Sequence, residues 1–330
     1  MKNTPIRIEL PTIFGMKTVN SFLFKEPEPI LIDCGENSNE SWDALNKGLN
    51  ENGLQLSDIK KIYITHMHID HMGMAGRIAD EFGTEIWVND KSVSRVLNYI
   101  EFSKLMKTMA FEITSKFWGI DSTDTANPMY SASKSEGKTR NTWTAISEQN
   151  LKVYTAGDVL RFGDEDWEVM YMPGHSDTQT VYFQKESKRM LSADMLLSVT
   201  PTPFYELSNG LTGDRIKGLP VMMQSYQRLS ELDFTIAYPG HYDVIHNPKE
   251  IIQKQVDHIH KRKMECFEFI KSGNDTYKKL YGLMYDKFTF TAVTMLVGYL
   301  DLLVEEQKIR WIEDEKSIRF EVASIPHSIH

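Results

Sequence analysis

The first part of the chain alternates short strand-like runs with helical ones. The strand-like runs are IRIEL, NSFLF, PILID, KIYIT and EIWV, and the runs with helical periodicity between them are NESWDALNKGLNENGL and MAGRIADEFG. Strands that alternate with helices are typical of a layered structure in which helices cover the faces of a sheet. The pattern therefore predicts an α/β fold.

A helical and polar block interrupts this pattern between about residues 91 and 150. Apolar residues recur at helical spacing from Lys91 to about Phe117, and a stretch rich in Ser, Thr, Asn and Gly follows. Strand-like runs then resume in LKVYTAGDVLRFGDEDWEVMYM, TVYFQ, RMLSAD and FTIAYPG. We predict that the block is an insertion into a β-rich frame, and insertions usually lie at the surface near functional sites.

Helices replace strands after residue 246. Three helical runs follow, IIQKQVDHIHKRKMECFEFIKSG, DTYKKLYGLMY and FTFTAVTMLVGYLDLLVEEQ, and KIRWIEDEKSIRFEVA predicts a closing hairpin. We therefore expect a larger domain at 1–246 and a smaller one at 247–330.

Composition and charge narrow the class of protein. Of the 330 residues, 41% are hydrophobic and 25% are charged, as in ordinary globular proteins. Two cysteines, Cys34 and Cys266, are too few for a disulfide framework. Neither a membrane helix nor the apolar core of a signal peptide is recognisable, so we expect a cytoplasmic protein without membrane contact. The net charge of −9 argues against a protein whose main task is to hold nucleic acid.

The stretch IYITHMHIDHMGMAGR, residues 62–77, contains three histidines and an aspartate within six residues. KKIYIT predicts a strand, so His66 and His68, two residues apart on an extended segment, point the same way and can reach one ion together. Asp70 and His71, at the turn into the next helix, then face a second position beside it. Imidazole and carboxylate ligands suit zinc or a similar divalent ion. The alternative without a metal is a polar helix start that happens to be rich in histidine.

A site for two ions needs further ligands at strand ends downstream. Such residues are present in MYMPGHSDT, MLSADML and IAYPGHYD, namely His175, Asp194 and His241. Each of them alone is more often an ordinary polar residue at a strand end. Together with the first cluster they favour a metal site.

The motifs THMHIDHMG, PGHS, SAD and YPGH, with the earlier LIDCG, resemble those of the metallo-β-lactamase superfamily over nearly the whole chain. The resemblance implies an αββα sandwich that binds two metal ions at one edge between its sheets. By motif, the ligands of the first ion are His66, His68 and His175. Those of the second ion are Asp70, His71 and His241, with Asp194 bridging both. Asp33 in LIDCG matches a position that supports the ligand loop by hydrogen bonding, although a turn aspartate is equally expected there.

The complete ligand set implies hydrolysis. Members that run oxygen chemistry on iron tend to carry a carboxylate in place of the second histidine, and His68 is intact. We therefore expect two divalent ions, zinc first and manganese or iron as alternatives, with a metal-bridging hydroxide as the nucleophile. Asp70 is the candidate catalytic residue, since it can orient that hydroxide and carry a proton towards the leaving group.

The substrate is less well defined, since the superfamily covers thioesters, lactones, β-lactams, phosphodiesters and phosphonates. Met106, Met109 and Trp118 in the helical block are candidates for an apolar roof over the site, and Tyr205 lies close behind Asp194 in the chain. Packing of the insertion onto the body is the alternative for the first three, and a plain loop aromatic for Tyr205. If they line the site, the substrate is a small molecule with an apolar part.

The tail adds a second resemblance, to the branch of β-lactamase-like proteins with a C-terminal winged helix. That branch includes an RNA-cleaving member, so a metal-dependent nuclease or phosphodiesterase is one alternative to a hydrolase of small esters, thioesters or lactones. A nucleic-acid-binding or scaffold protein with an idle metal site is another. The tail lacks the continuous basic stripe of a groove binder, which favours packing or homodimerisation as its role.

Overall fold

The computed structural model describes residues 4–13, 16–119, 143–209, 211–313 and 318–323, apart from the side chains at 106, 107 and 110. Two β-sheets form its centre. The first has the order β1-β2-β3-β4-β5-β6, with strands Ile6–Pro11, Thr18–Phe24, Ile30–Ile32, Lys61–Tyr63, Glu85–Asn89 and Leu151–Tyr154. The second has the order β11-β10-β9-β8-β7, and in chain order its strands β7 to β11 are Val159–Phe162, Glu165–Tyr171, Thr180–Gln184, Arg189–Ala193 and Ile236–Pro239.

Helices cover both outer faces of this pair of sheets. Their bounds are Asn39–Glu51, Ile69–Met72, Ala75–Phe82, Val93–Leu97, Tyr99–Trp118, Gly218–Glu231, Pro248–Lys271, Tyr277–Met284 and Phe290–Glu305. The helix Gly218–Glu231 was not predicted, because it begins with Gly-Leu-Pro, which is typical of a turn. Proline is nevertheless tolerated in the first turn of a helix, where its missing N–H has no helical partner to lose.

The fold has four layers, namely helices, the first sheet, the second sheet and further helices. A hydrophobic cluster lies between each pair of neighbouring layers. Between the two sheets the cluster is largely aromatic: the ring of Phe24 lies 5.7 Å from that of Phe162 and 5.8 Å from that of Trp167. A second cluster joins the first sheet to the helices Asn39–Glu51 and Ala75–Phe82. The third joins the second sheet to the later helices. The predicted αββα sandwich is confirmed.

The helical block contains the predicted helices, Val93–Leu97 and Tyr99–Trp118, whereas the polar stretch at 120–142 lies outside the described residues. The tail contains three helices and a hairpin of β12 (Ile309–Glu313) and β13 (Ile318–Val322), as its pattern predicted. Its likeness to a winged helix and the division into two domains stay predictions.

The tail helices share one core with the second sheet, so they are packed tightly onto the body. A Cβ on Gly298 would lie 2.6 Å from Leu219 Cβ, which shows how closely two of the helices approach. Asp301 accepts hydrogen bonds from both terminal nitrogens of Arg215, at 2.8 and 2.9 Å. None of the helices in the described ranges is long and apolar enough to cross a membrane.

Candidate metal centre

The motif residues lie together at one edge of the sandwich, where four strands end. β3 and β4 of the first sheet are parallel and lead into Asp33 and the segment 66–71. β10 and β11 of the second sheet, also parallel, lead into Asp194 and His241, and His175 lies in the turn between β8 and β9. Because the carboxyl ends of parallel neighbours meet at one edge of a sheet, the fold gathers residues that are far apart in sequence.

Three histidines form one half of the cluster. His68 Nδ1 lies 3.1 Å from His66 Nε2 and 3.0 Å from His175 Nε2. Zn–N bonds of about 2.0–2.1 Å place the nitrogen ligands of a tetrahedral ion about 3.3 Å apart, so the three atoms fit a single ion. His66 Nδ1 faces Thr65 Oγ1 at 3.0 Å, and His175 Nδ1 donates to the carbonyl of Pro203 at 2.8 Å. Both rings are therefore held by their outer nitrogens, with Nε2 facing inward.

Burial keeps two of these rings neutral. It lowers the pKa of His66 well below the ordinary value, and the positive charges of neighbouring histidines lower it further. Burial also lowers the pKa of His175 to about 4, although Asp194 opposes this shift. A neutral imidazole presents the lone pair that a metal ion requires.

The other half of the cluster consists of Asp70, His71 and His241, and Asp194 contacts both halves. His241 Nε2 lies 3.4 Å from Asp70 Oδ2 and 3.2 Å from Asp194 Oδ2. His71 Nε2 lies 3.4 Å from Asp194 Oδ1, and His175 Nε2 of the first half lies 3.3 Å from Asp194 Oδ2. Asp194 thus stands between the two halves.

Three buried atoms of this cluster make no hydrogen bond: His71 Nε2, His241 Nε2 and Asp194 Oδ1. Buried polar atoms are normally paired, and a divalent ion among them would satisfy all three. Burial would lower the pKa of His241, but Asp194 and Asp70 raise it to about 10, so the carboxylates favour a cation here. The orphaned atoms and the mix of imidazole and carboxylate donors fit a pair of divalent ions.

Asp33 connects the strand β3 to the ligand loop. Its Oδ2 accepts hydrogen bonds from His71 Nδ1 at 2.7 Å and from Thr65 Oγ1 at 2.8 Å, and its Oδ1 accepts from the Thr65 N–H at 2.8 Å. These contacts orient His71 with Nε2 towards Asp194. The φ of Asp33 is 59°, a left-handed conformation that is uncommon for non-glycine residues and is often found at functional sites.

Gly240 lies directly against two residues of the cluster. A Cβ at this position would clash with Asp194 Oδ1 and would lie 2.7 Å from His71 Cε1. Its N–H donates to the carbonyl of Ala193 at 2.9 Å, which ties the ends of β10 and β11 together. The glycine of the YPGH motif is therefore required by the close approach of these side chains.

Two residues that hold the cluster in place were not predicted from the sequence, namely Asn20 and Glu206. Asn20 Nδ2 donates to the carbonyls of Pro239 and Tyr242, at 2.9 and 2.8 Å, on either side of His241. Glu206 Oε1 lies 3.5 Å from His68 Nε2. No signal marks them, because Asn20 is one polar residue within a strand and Glu206 lies in an irregular segment.

The candidate substrate residues lie in different places. The ring of Tyr205 is 6.0 Å from that of His68 and 5.6 Å from that of His175, so Tyr205 borders the cluster. Trp118 packs instead against tail residues, among them Tyr281 at 5.1 Å, as the packing alternative expects. Met109 is half-buried and lies beside Gly213. The side chain of Met106 lies outside the described part of the structure.

Comparisons with known proteins agree with this geometry. Residues 15–241 match the family described as the metallo-beta-lactamase superfamily. A probable metallo-hydrolase of Bacillus subtilis, YqjP, is 29% identical over 315 residues, which cover 92% of this chain and 93% of that protein.

Two solved structures share the fold. A metallo-beta-lactamase family protein from Thermus thermophilus has a TM-score of 0.79 at 20% identity. The match covers 96% of this chain and 98% of that protein. A beta-lactamase domain protein from Burkholderia ambifaria has a TM-score of 0.73 at 18% identity. The match covers 96% of this chain and 92% of that protein. The chain belongs to the metallo-β-lactamase superfamily of metal-dependent hydrolases.

Proposed function

We propose that this protein is a dinuclear metal-dependent hydrolase of a small ester, thioester or lactone, with zinc as the first choice of metal. The observation that carries the proposal is the position of Asp194, whose two oxygens face histidines of both halves of the cluster at 3.2–3.4 Å. One ion would be held by His66, His68 and His175, and the other by Asp70, His71 and His241. Asp194 would be shared between them.

Divalent ions bound here supply two effects: they lower the pKa of water and polarise the oxygen of the bond under attack. The chain supplies the rest. Asp70 is 8% exposed, whereas His66, His71, His175 and His241 are fully buried, so Asp70 is the most accessible of these five side chains. Burial raises the pKa of Asp70, but its close contact with His241 and the charge of His71 lower it overall to about 2. Its carboxylate is therefore ionised at neutral pH, and it can orient the attacking water by accepting a hydrogen bond from it.

The surroundings support a substrate with an apolar part. The half-buried ring of Tyr205 borders His68 and His175 and stacks on Phe290, with centroids 6.4 Å apart. Together they form an aromatic surface beside the cluster, and aromatic surfaces of this kind favour apolar groups. The net charge of −9 opposes binding of a polyanion, which is why a nuclease ranks second.

The test combines elemental analysis with a panel of substrates: acyl thioesters, aryl esters, lactones, β-lactams, bis-aryl phosphodiesters and single-stranded RNA. We expect two metals per chain and turnover of a thioester, ester or lactone. Asp70→Asn should lower kcat by about 100-fold or more. Asp43→Asn, on the exposed face of the helix Asn39–Glu51, makes the same chemical change away from the cluster and should leave kcat unchanged.

Three results would count against the proposal. Protein without bound metal would refute the ligand assignment. Turnover that persists in Asp70→Asn would trace the activity to a contaminant or to another site. Cleavage of only phosphodiesters or RNA would replace the proposed substrate class with the nuclease alternative.

A further inference from the structure

A buried ionic group lies beside the three-histidine half of the cluster. Arg95, from the helix Val93–Leu97, is 3% exposed, and its Nη1 donates to Glu206 Oε1 at 2.6 Å. Its Nη2 donates to Asp177, two residues after His175 in the chain. The guanidinium also lies over the ring of Phe102, 3.9 Å from its centroid. One arginine of the inserted helices thus holds two carboxylates next to the candidate ligands.

Both oxygens of Glu206 are in use. Oε1 accepts from Arg95 and from Ser176 Oγ at 3.1 Å, and Oε2 accepts from the N–H of Asp177 at 2.7 Å. The carboxylate is 3% exposed, and these three donors fix its orientation. In that orientation Oε1 lies 3.5 Å from His68 Nε2. The fixed negative charge therefore faces the outer nitrogen of His68.

This arrangement mirrors that of the other half of the cluster. His71 turns Nδ1 to Asp33 and Nε2 inward, whereas His68 turns Nε2 to Glu206 and Nδ1 inward. A histidine that binds a metal commonly gives its second N–H to a carboxylate, which fixes the ring and its tautomer. Asp33 is the carboxylate at the outer nitrogen of His71 in one half, and Glu206 is the carboxylate at the outer nitrogen of His68 in the other.

We propose that Glu206, held in place by Arg95, is the positioning residue for His68 and sets the affinity of the three-histidine half for its ion. The inference rests on the ligand assignment of the proposed function. Arg95 acts through Glu206, because a buried carboxylate without its cation is costly and would turn away or take up a proton. The helix Val93–Leu97 is thereby connected to the three-histidine half of the cluster.

The test is a pair of matched substitutions, Glu206→Gln and Asp33→Asn. Glutamine has a single acceptor oxygen, so it cannot satisfy both the N–H of Asp177 and the donors at Oε1. Zinc is titrated into metal-free protein in competition with a chromophoric chelator, which yields a Kd for each ion. Long-range 1H–15N NMR of the zinc-loaded protein shows which ring nitrogen of His68 and of His71 carries the proton.

We expect Glu206→Gln to raise one Kd by about 10- to 100-fold, to change the His68 signals and to leave those of His71 in place. Asp33→Asn should change the His71 signals and leave those of His68 in place. It should raise the other Kd more than that of the three-histidine half, which it reaches only through Thr65 and His66. The inference is overturned if Glu206→Gln keeps both Kd values and the His68 spectrum, or weakens both ions equally. Should Glu206→Gln fail to fold, Arg95→Lys keeps the charge but loses the planar fork that binds two carboxylates. It should raise the same Kd by roughly 3- to 10-fold, and an unchanged Kd overturns the inference.

These outcomes separate the inference from the proposed function. Wild-type protein that binds no zinc refutes the ligand assignment and the inference with it. Wild-type protein that binds two ions and hydrolyses its substrate, with variants that bind both ions normally, refutes the inference alone.

Discussion

Replacement of Gly240 by alanine should damage the metal centre without straining the backbone. The φ of Gly240 lies outside the left-handed region that favours glycine, so alanine can adopt the same backbone conformation. The added methyl group, however, points at Asp194 and His71. The effect of Gly240→Ala is therefore a steric one, directed at two residues that we assign to the metals.

The structure gives the size of the effect. A Cβ would lie 2.7 Å from His71 Cε1, and ordinary contact begins at 3.4 Å, so the ring must retreat by about 0.7 Å. Asp194 Oδ1, which is closer still, must move farther. Metal–ligand distances tolerate only about 0.2 Å. We expect a loss of zinc affinity of about 100-fold or more, and a loss of about 1–3 kcal/mol in the stability of the metal-free protein from overpacking.

The assay is zinc content after dialysis, together with thermal unfolding in the presence and absence of EDTA. Gly282→Ala is the matched control, because a Cβ there meets nothing within 4 Å and its φ is not left-handed. In the helix Tyr277–Met284 it should raise stability slightly, by up to about 1 kcal/mol. Gly240→Ala protein that retains two ions with wild-type affinity would refute the steric argument and the ligand assignment on which it rests.

Three further predictions concern the tail and the protons of the site. Gly298→Ala should destabilise the protein by about 1–3 kcal/mol in urea unfolding despite its better helix propensity, because the new Cβ would lie 2.6 Å from Leu219 Cβ; a stabilised variant would contradict the close packing. Asp301→Asn leaves Arg215 without its charged partner and should cost about 2–3 kcal/mol in thermal unfolding, since the arginine is partly exposed. Zinc binding at pH 7 should release protons, as calorimetry in two buffers would detect, because a pKa of about 10 leaves His241 protonated in the metal-free protein. By the same linkage this histidine stabilises the metal-free protein below about pH 6.5, and that contribution is lost as the pH rises towards 10. Zinc uptake without proton release would contradict this account.

Most elements of the fold could be predicted from the sequence because they depend on local periodicity. The run IRIEL alternates as a half-buried strand does, NSFLF ends in a short apolar run, and the structure has β1 and β2 there. The helix Gly218–Glu231 was missed because glycine and proline at its start indicate a turn, whereas its buried face against the second sheet stabilises a helix. Local propensity is outweighed wherever tertiary burial is large.

By itself, the sequence determined the α/β layers and the residue types of the candidate centre, since His66, His68, Asp70 and His71 lie within one short segment. Only the tertiary structure decided which carboxylate faces which histidine. Asp33 meets His71 across 38 positions of the chain, and Arg95 meets Glu206 across 111. Such pairings depend on strand order and on how the helix Val93–Leu97 packs, and neither leaves a periodic signal in the sequence. Residues that are neighbours in the sequence indicate which metal-binding side chains are present, whereas the packing of the fold decides how those side chains are oriented.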